Sequence, residues 1–170
     1  GIKMNAGCFG KEIKDILLSV QVINKLGNIS SIPKTQIDFS YRTNNLSDDL
    51  IFLSASFKGK KKNSKVILET MNKLKIEKDK NQPTKIKTSG STFKNPIGKT
   101  KKKVWELIRE SVPLDIRFGD ACISEKHSNF FVNKDNAKFS DMKKLINYVE
   151  NSVFKKTGIK IEKEIKILEN

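Results

Sequence analysis

The sequence predicts an α+β protein arranged as two lobes, and three observations carry that expectation. Residues 13–58 alternate side chains with a period near two, as half-buried strands do. Two later stretches place apolar residues at helical spacing: Ile67-Met71-Leu74, and Met142-Leu145-Ile146-Val149-Val153. Between them the charged run Glu77-Lys78-Asp79-Lys80-Asn81-Gln82 ends in Pro83 and reads as a linker.

Taken in order, residues 1–10 hold Gly7 and Gly10 among small side chains. That pattern suits a plain turn or a backbone that must approach a bulky ligand. Residues 16–23 read as a strand, Lys25-Leu26-Gly27-Asn28 as a hairpin turn, and residues 29–32 as the return strand. After a loop to Phe39-Ser40-Tyr41-Arg42, residues 50–57 read as a further strand. The region 13–58 is therefore expected to be an antiparallel meander. Asn63 or Ser64 is positioned to cap the first helix. In the second lobe a short helix over 104–108 should stop near Pro113, and residues 116–124 should form a turn and then a strand. Residues 129–133 read as another strand. Ser140 is the expected N-cap of the last helix, and Gly158 its exit. Ile159, Ile161, Ile165 and Ile167 then suggest a closing strand with Glu162, Glu164 and Lys166 on its other face.

Composition narrows the function. The chain has 170 residues, of which 36% are hydrophobic and 8% aromatic, enough for a lean core. No apolar run reaches membrane-spanning length, and the first residues carry no signal-peptide pattern. Cys8 and Cys122 stand far apart and His127 is the sole histidine, so no metal site is expected. Both thiols read as reduced and the protein as cytoplasmic. The net charge is +15, almost all of it from Lys in a chain also rich in Asn and Ile. An AT-rich genome produces that composition without functional demand. The rival reading is a non-catalytic basic module, or a relic fragment that retains the scaffold, that contacts polyanions through Lys60-Lys61-Lys62 and Lys101-Lys102-Lys103. Arg is scarce and no nucleic-acid motif is present, which favours a solvated surface.

The segment Ser89-Gly90-Ser91-Thr92-Phe93-Lys94-Asn95-Pro96 concentrates a hydroxyl, an ammonium, a carboxamide and an aromatic ring. Gly90 frees the backbone before Ser91, and Pro96 biases Asn95 away from helix. The segment is expected to be a rigid turn presenting polar tips. Around it, in order, lie Met4-Asn5-Ala6-Gly7-Cys8-Phe9-Gly10 with Glu12-Ile13, then Tyr41-Arg42, Gln82-Pro83, Ser124-Glu125-Lys126-His127-Ser128-Asn129-Phe130 with Val132-Asn133, and Gly158-Ile159 before Ile161-Glu162-Lys163-Glu164-Ile165. With the Ser91 segment these resemble, at matching spacing, the C-terminal part of the UDP-N-acetylenolpyruvoylglucosamine reductase (MurB) family, flavoenzymes of peptidoglycan synthesis.

That resemblance implies an FAD-binding lobe formed by residues 1–77 with 159–170, and a substrate-binding lobe formed by residues 78–158. It implies reduction of UDP-N-acetylglucosamine enolpyruvate to UDP-N-acetylmuramate, with hydride drawn from NADPH by way of FAD. By resemblance Ser91 protonates the carbon next to the carboxylate. Arg42 forks onto that carboxylate as charge develops, and Glu164 helps to polarise it. Asn5, Ala6, Gly7 and Gly10 would line the flavin ring, and Lys78, Lys94 and Asn95 would orient the substrate. Lys126, His127 and Asn129 would be structural.

The sequence departs from the family's pattern in places. The N-terminal region that carries much of the flavin diphosphate site is expected to be truncated, split onto another chain, or lost. Lys103-Val104-Trp105-Glu106-Leu107-Ile108 replaces an Ala-Gly-Lys-Leu-Ile run, Asn44 stands for a common Ser, and Lys78 for a common Arg. A tyrosine-bearing substrate loop is not apparent, which points to the shorter branch.

Overall fold

The computed structural model describes residues 1–168 and contains α-helices and antiparallel sheets, an α+β architecture. The chain divides into two compact units, Gly1–Asn63 and Ser64–Asn170.

In the first unit a small hairpin joins β1 (Gly7–Cys8) to β2 (Lys11–Glu12). Then come β3 (Leu17–Ile23) and β4 (Ile29–Pro33), a tight hairpin of β5 (Phe39–Ser40) and β6 (Thr43–Asn44), and β7 (Ile51–Phe57). The three long strands pair in the order β4-β3-β7, so β7 returns to β3 rather than to β4 and the expected meander is replaced. The reason lies in side-chain content. β3 supplies Leu17, Val20 and Val22 to the core with Ile37, so it must be central. β4 reads Ile-Ser-Ser-Ile-Pro, with exposed serines and a proline, which suits an edge.

The second unit opens with α1 (Ser64–Asn81), directly after Asn63. This helix runs through the residues expected to be a linker. Glu77, Lys78, Asp79 and Lys80 are good helix formers or tolerated in a last turn, and only Pro83 ends the pattern. The two compact units part at 63/64, at the start of this helix. None of the α1 residues is buried.

Next come β8 (Lys87–Ser91), α2 (Val104–Ser111), β9 (Arg117–Phe118), β10 (Ala121–Ile123), β11 (Phe130–Asn133) and α3 (Phe139–Thr157). The sheet order is β8-β11-β10-β9, antiparallel throughout. Phe130, Phe131 and Val132 are all buried, as a central strand requires. α2 and α3 pack on each other, and α3 also packs on β9 and β10. Leu145, Ile146, Val149 and Val153 fill the core from α3 with Leu107, Ile108 and Phe93.

Two further expectations change. α3 begins at Phe139, with Lys138 as the capping position, and Asp141 Oδ2 accepts the Lys138 N–H at 3.0 Å, so Ser140 lies inside the helix. The isoleucines at 159, 161, 165 and 167 do pack on the core, but no closing strand forms among the described residues. A single bridge, Phe93 with Lys163, stands in its place. Charged Glu162, Lys163 and Glu164 break the apolar run, and the backbone bonds there go to the Ser91 segment instead of to a ladder. Residues 169–170 of the expected 159–170 segment lie outside the described residues.

Candidate functional site

The Ser91 segment is the end of a strand with a bulge, not a free turn. Ser91 faces Phe130 and Thr88 faces Val132, so three steps along β8 match two along β11. The extra residue is absorbed at Gly90, whose φ of 87° belongs to the left-handed region that favours glycine. Thr88 Oγ1 accepts the Gly90 N–H at 3.3 Å. A bulge of this kind re-aims the side chain that follows, here the half-buried Ser91.

Beyond Ser91 the backbone is held on both sides. The Thr92 N–H donates to Asn129 O at 2.8 Å, and Thr92 O accepts the Glu164 N–H at 2.8 Å. The Lys94 N–H donates to Glu162 O at 2.8 Å. The chain thus sets Glu164 opposite the residue after Ser91, although the two are far apart in sequence. Asn129 also closes on Phe93 with its side chain: Oδ1 accepts the Phe93 N–H at 3.0 Å and Nδ2 donates to Phe93 O at 2.9 Å.

Arg42, Asn5, Ala6, Gly7 and Gly10 belong to the first unit, where Arg42 and Asn5 come together. Tyr41 and Arg42 form the two-residue turn between β5 and β6, and Arg42 adopts φ 58°. A non-glycine residue in that region is strained and needs support from its surroundings. The Arg42 Nη1 donates to Asn5 O at 3.4 Å, and its guanidinium lies 4.9 Å from the Tyr41 ring centroid. Asn5 is fully buried. Its Nδ2 donates to Glu12 Oε2 at 3.0 Å and to Ser40 O at 3.2 Å, and its Oδ1 accepts the Lys14 N–H at 3.1 Å. Asn5 therefore joins the first hairpin to the arginine turn. Glu12 is held below the usual carboxylate range, first by Lys14, whose Nζ is 2.7 Å away, and then by Asn5. Gly7 has a reason within the chain: a Cβ there would meet Lys11 O at 2.8 Å. A Cβ at Gly10 would meet nothing within 4 Å, and Ala6 is exposed.

Of the residues expected to orient substrate, Lys94 approaches Glu162 at 3.8 Å, and Asn95 Oδ1 accepts the Val104 N–H at 3.0 Å at the start of α2. Lys78 is exposed in the last turn of α1, and its carbonyl accepts the Gln82 N–H. None of these three lines either of two cavities in the second unit. One, of about 520 Å³, sets Lys85, Lys87, Lys126 and Lys134 around Ile86, Ile123 and Val132. The other, of about 410 Å³, is lined by Lys80, Asn81, Trp105, Arg109, His127 and Ser128 among others. Trp105 and Arg109 were not singled out from the sequence as site residues. Their spacing of four on one helix was the available signal, since it places both on one face. Burial lowers the pKa of His127, and its Nδ1 accepts the Asn129 N–H at 3.3 Å, which requires a free lone pair on that nitrogen. Both cysteines are free, Cys8 exposed and Cys122 buried, and no cluster of metal-ligating residues exists among the described residues. Among the described residues no helix is long and apolar enough to cross a membrane.

Chemically, the second unit presents a hydroxyl and a carboxyl on adjoining, mutually bonded segments, and the first presents a guanidinium on a strained, buttressed turn.

The chain as a whole is similar to known proteins. A UDP-N-acetylenolpyruvoylglucosamine reductase of Pelagibacter ubique (strain HTCC1062) is 66% identical over 168 residues, covering 99% of this chain and 56% of the relative. One of Rickettsia bellii (strain RML369-C) is 45% identical over 166 residues, covering 98% of this chain and 54% of the relative. The chain thus spans about half the length of these relatives. The crystal structure of UDP-N-acetylenolpyruvylglucosamine reductase (MurB) from Thermus caldophilus matches with a TM-score of 0.81 at 30% identity, covering 97% of this chain and 57% of that one. Residues 82–168 match the C-terminal domain of UDP-N-acetylenolpyruvoylglucosamine reductase, and the chain belongs to that family.

Proposed function

We propose that the chain is the substrate-reducing part of a cytoplasmic, FAD-dependent reductase that converts UDP-N-acetylglucosamine enolpyruvate to UDP-N-acetylmuramate with NADPH, for peptidoglycan synthesis. The observation that carries this reading is the bond from the Glu164 N–H to Thr92 O, which sets the Glu164 backbone beside the strand end that holds Ser91. Family membership supports it. The exposed Ala6 and the open space at Gly10 fit a flat ring laid against the loop, with Asn5 fixing the loop's shape. When bound, FAD supplies the hydride.

The remaining tasks fall to this chain. Arg42, always charged, forks onto the substrate carboxylate, and its strained turn fixes the guanidinium before substrate arrives. Glu164 polarises the same carboxylate. Ser91 gives its proton to the adjacent carbon, a weak acid made effective by position. Asn5, Ala6, Gly7 and Gly10 line the cofactor, and Lys94, Asn95 and Lys78 orient the substrate's diphosphate and sugar. The lobes that serve cofactor and substrate correspond to residues 1–77 with 159–170 and residues 78–158.

The test supplies, in cis or in trans, the N-terminal half that the relatives carry, and measures both half-reactions. Flavin uptake, NADPH oxidation and substrate turnover are expected. Ser91→Ala should leave flavin reduction by NADPH intact and slow the second half-reaction at least about a hundredfold. Equal loss of both steps would overturn the proton-donor role. Salt-sensitive retention of random DNA with no flavin uptake would support the polyanion-binding alternative instead.

A further inference from the structure

We propose that Asn129 is the positioning residue that sets the register of Ser91 against Glu164, a role that rests on the reduction chemistry proposed above. Asn129 is 3% exposed and stands one residue before β11, where the ladder to β8 would otherwise end at Phe130 and Ser91. Its side-chain amide reproduces a strand's backbone edge: Oδ1 takes the Phe93 N–H and Nδ2 gives to Phe93 O. Its own carbonyl takes the Thr92 N–H. The ladder is thereby extended past Ser91 by a side chain rather than by backbone.

On the opposite side of the same segment lie residues 162–164. Glu162 O takes the Lys94 N–H, Phe93 bridges Lys163, and the Glu164 N–H gives to Thr92 O. Residues 92–94 are therefore clamped between Asn129 and the strip that bears Glu164. Only the amide group of Asn129 satisfies both polar atoms of the Phe93 peptide, which is buried and has no access to water in exchange. Without it the Thr92 N–H bond to Asn129 O is the hold that remains on that side beyond Ser91, and Phe93 can shift along 162–164. A hydroxyl misplaced by about 1 Å loses about a hundredfold in rate. A residue that only stabilised the fold would affect both half-reactions together. One that positions Ser91 affects the second.

The experiment has two readouts. In the 170-residue chain itself, Asn129→Ala should raise amide exchange at Phe93 and Glu164 about tenfold while Leu145 and Val149 keep their protection. If Asn129→Ala does not fold, Asn129→Asp, which keeps the acceptor and the volume but loses the donor, is measured in its place. In the enzyme completed with the N-terminal half, the variant should leave flavin reduction by NADPH unchanged and slow substrate reduction about a hundredfold. Added to Ser91→Ala it should then cause no further loss, because the proton it positions is already gone. Unchanged exchange at Phe93 and Glu164 overturns the clamp. Equal loss in both half-reactions, or full additivity with Ser91→Ala, overturns the positioning role. A completed wild-type enzyme that fails to turn over substrate strikes the reductase reading instead, and the exchange result then stands on its own.

Discussion

Burial of His127 lowers its pKa below the ordinary 6.5, and stability then follows pH in a definite direction. The unfolded chain takes up the proton first. Stability is complete above about pH 6.5, falls as pH drops below it, and levels off once the folded imidazole also titrates. Thermal melts between about pH 7.5 and about pH 5.5 should show this decline, and His127→Gln should flatten it. An unchanged slope in the variant would assign the decline to other groups. Thr92 offers a second test at this scale. Its Oγ1 is buried and has no hydrogen-bond partner among the described residues, so the hydroxyl is desolvated without return. Thr92→Val keeps the shape and should be neutral or stabilising by up to about 1 kcal/mol, read as a raised Tm. Destabilisation by more than that would mean the hydroxyl has a partner in solution.

At the scale of elements, the turn between β9 and β10 supports the start of α3. Gly119 has φ 55°, and a Cβ on it would come within 2.7 Å of Asp141 Oδ2. That carboxylate is the one that accepts the Lys138 N–H at the helix start. Gly119→Ala therefore strains the backbone and displaces the capping group together, costing about 1–2 kcal/mol by chemical denaturation. In an Asp141→Ala background the penalty should shrink to the backbone part. The sequence made α3 legible because four of its buried residues recur at helical spacing, and made β3 legible by alternation. The pairing of β7 with β3 was not legible, since alternation states which face a strand buries and not which neighbour it takes. The α1 extension was missed because charge was read as linker, though Lys and Glu favour helix. The 159–167 segment was read as strand from its isoleucines. Their burial was right, but backbone bonds to residues 92 and 94 replaced the ladder. Ser91, Arg42 and Glu164 stand out in the sequence only through the family resemblance. The amide clamp of Asn129 leaves no periodic trace at all.

For the molecule as a whole, the distribution of buried apolar residues sets what opens first. The buried cluster of the second unit joins Phe93, Phe131 and Leu107 to Leu145, Ile146, Val149 and Val153, with Ile161 completing it. The buried cluster of the first unit consists of Leu17, Val20, Val22 and Ile37, with partly exposed neighbours around them. A domain of that size with so small a core sits near the limit of independent stability. Protection against exchange should therefore be lower for the amides of Val20 and Val22 than for those of Leu145 and Val149, by two orders of magnitude or so if the gap is about 3 kcal/mol. Val149→Ala should cost about 2–4 kcal/mol and shift the protection of the second unit's core, leaving Val20 and Val22 as they were. Flavin should reverse the order if it binds the Asn5 loop in the completed enzyme, because a ligand that binds only the folded form stabilises the unit that holds it. Protection at Val20 and Val22 that exceeds that of the α3 core without any flavin would refute the argument from core size, and equal protection with and without bound flavin would remove the Asn5 loop from the cofactor site.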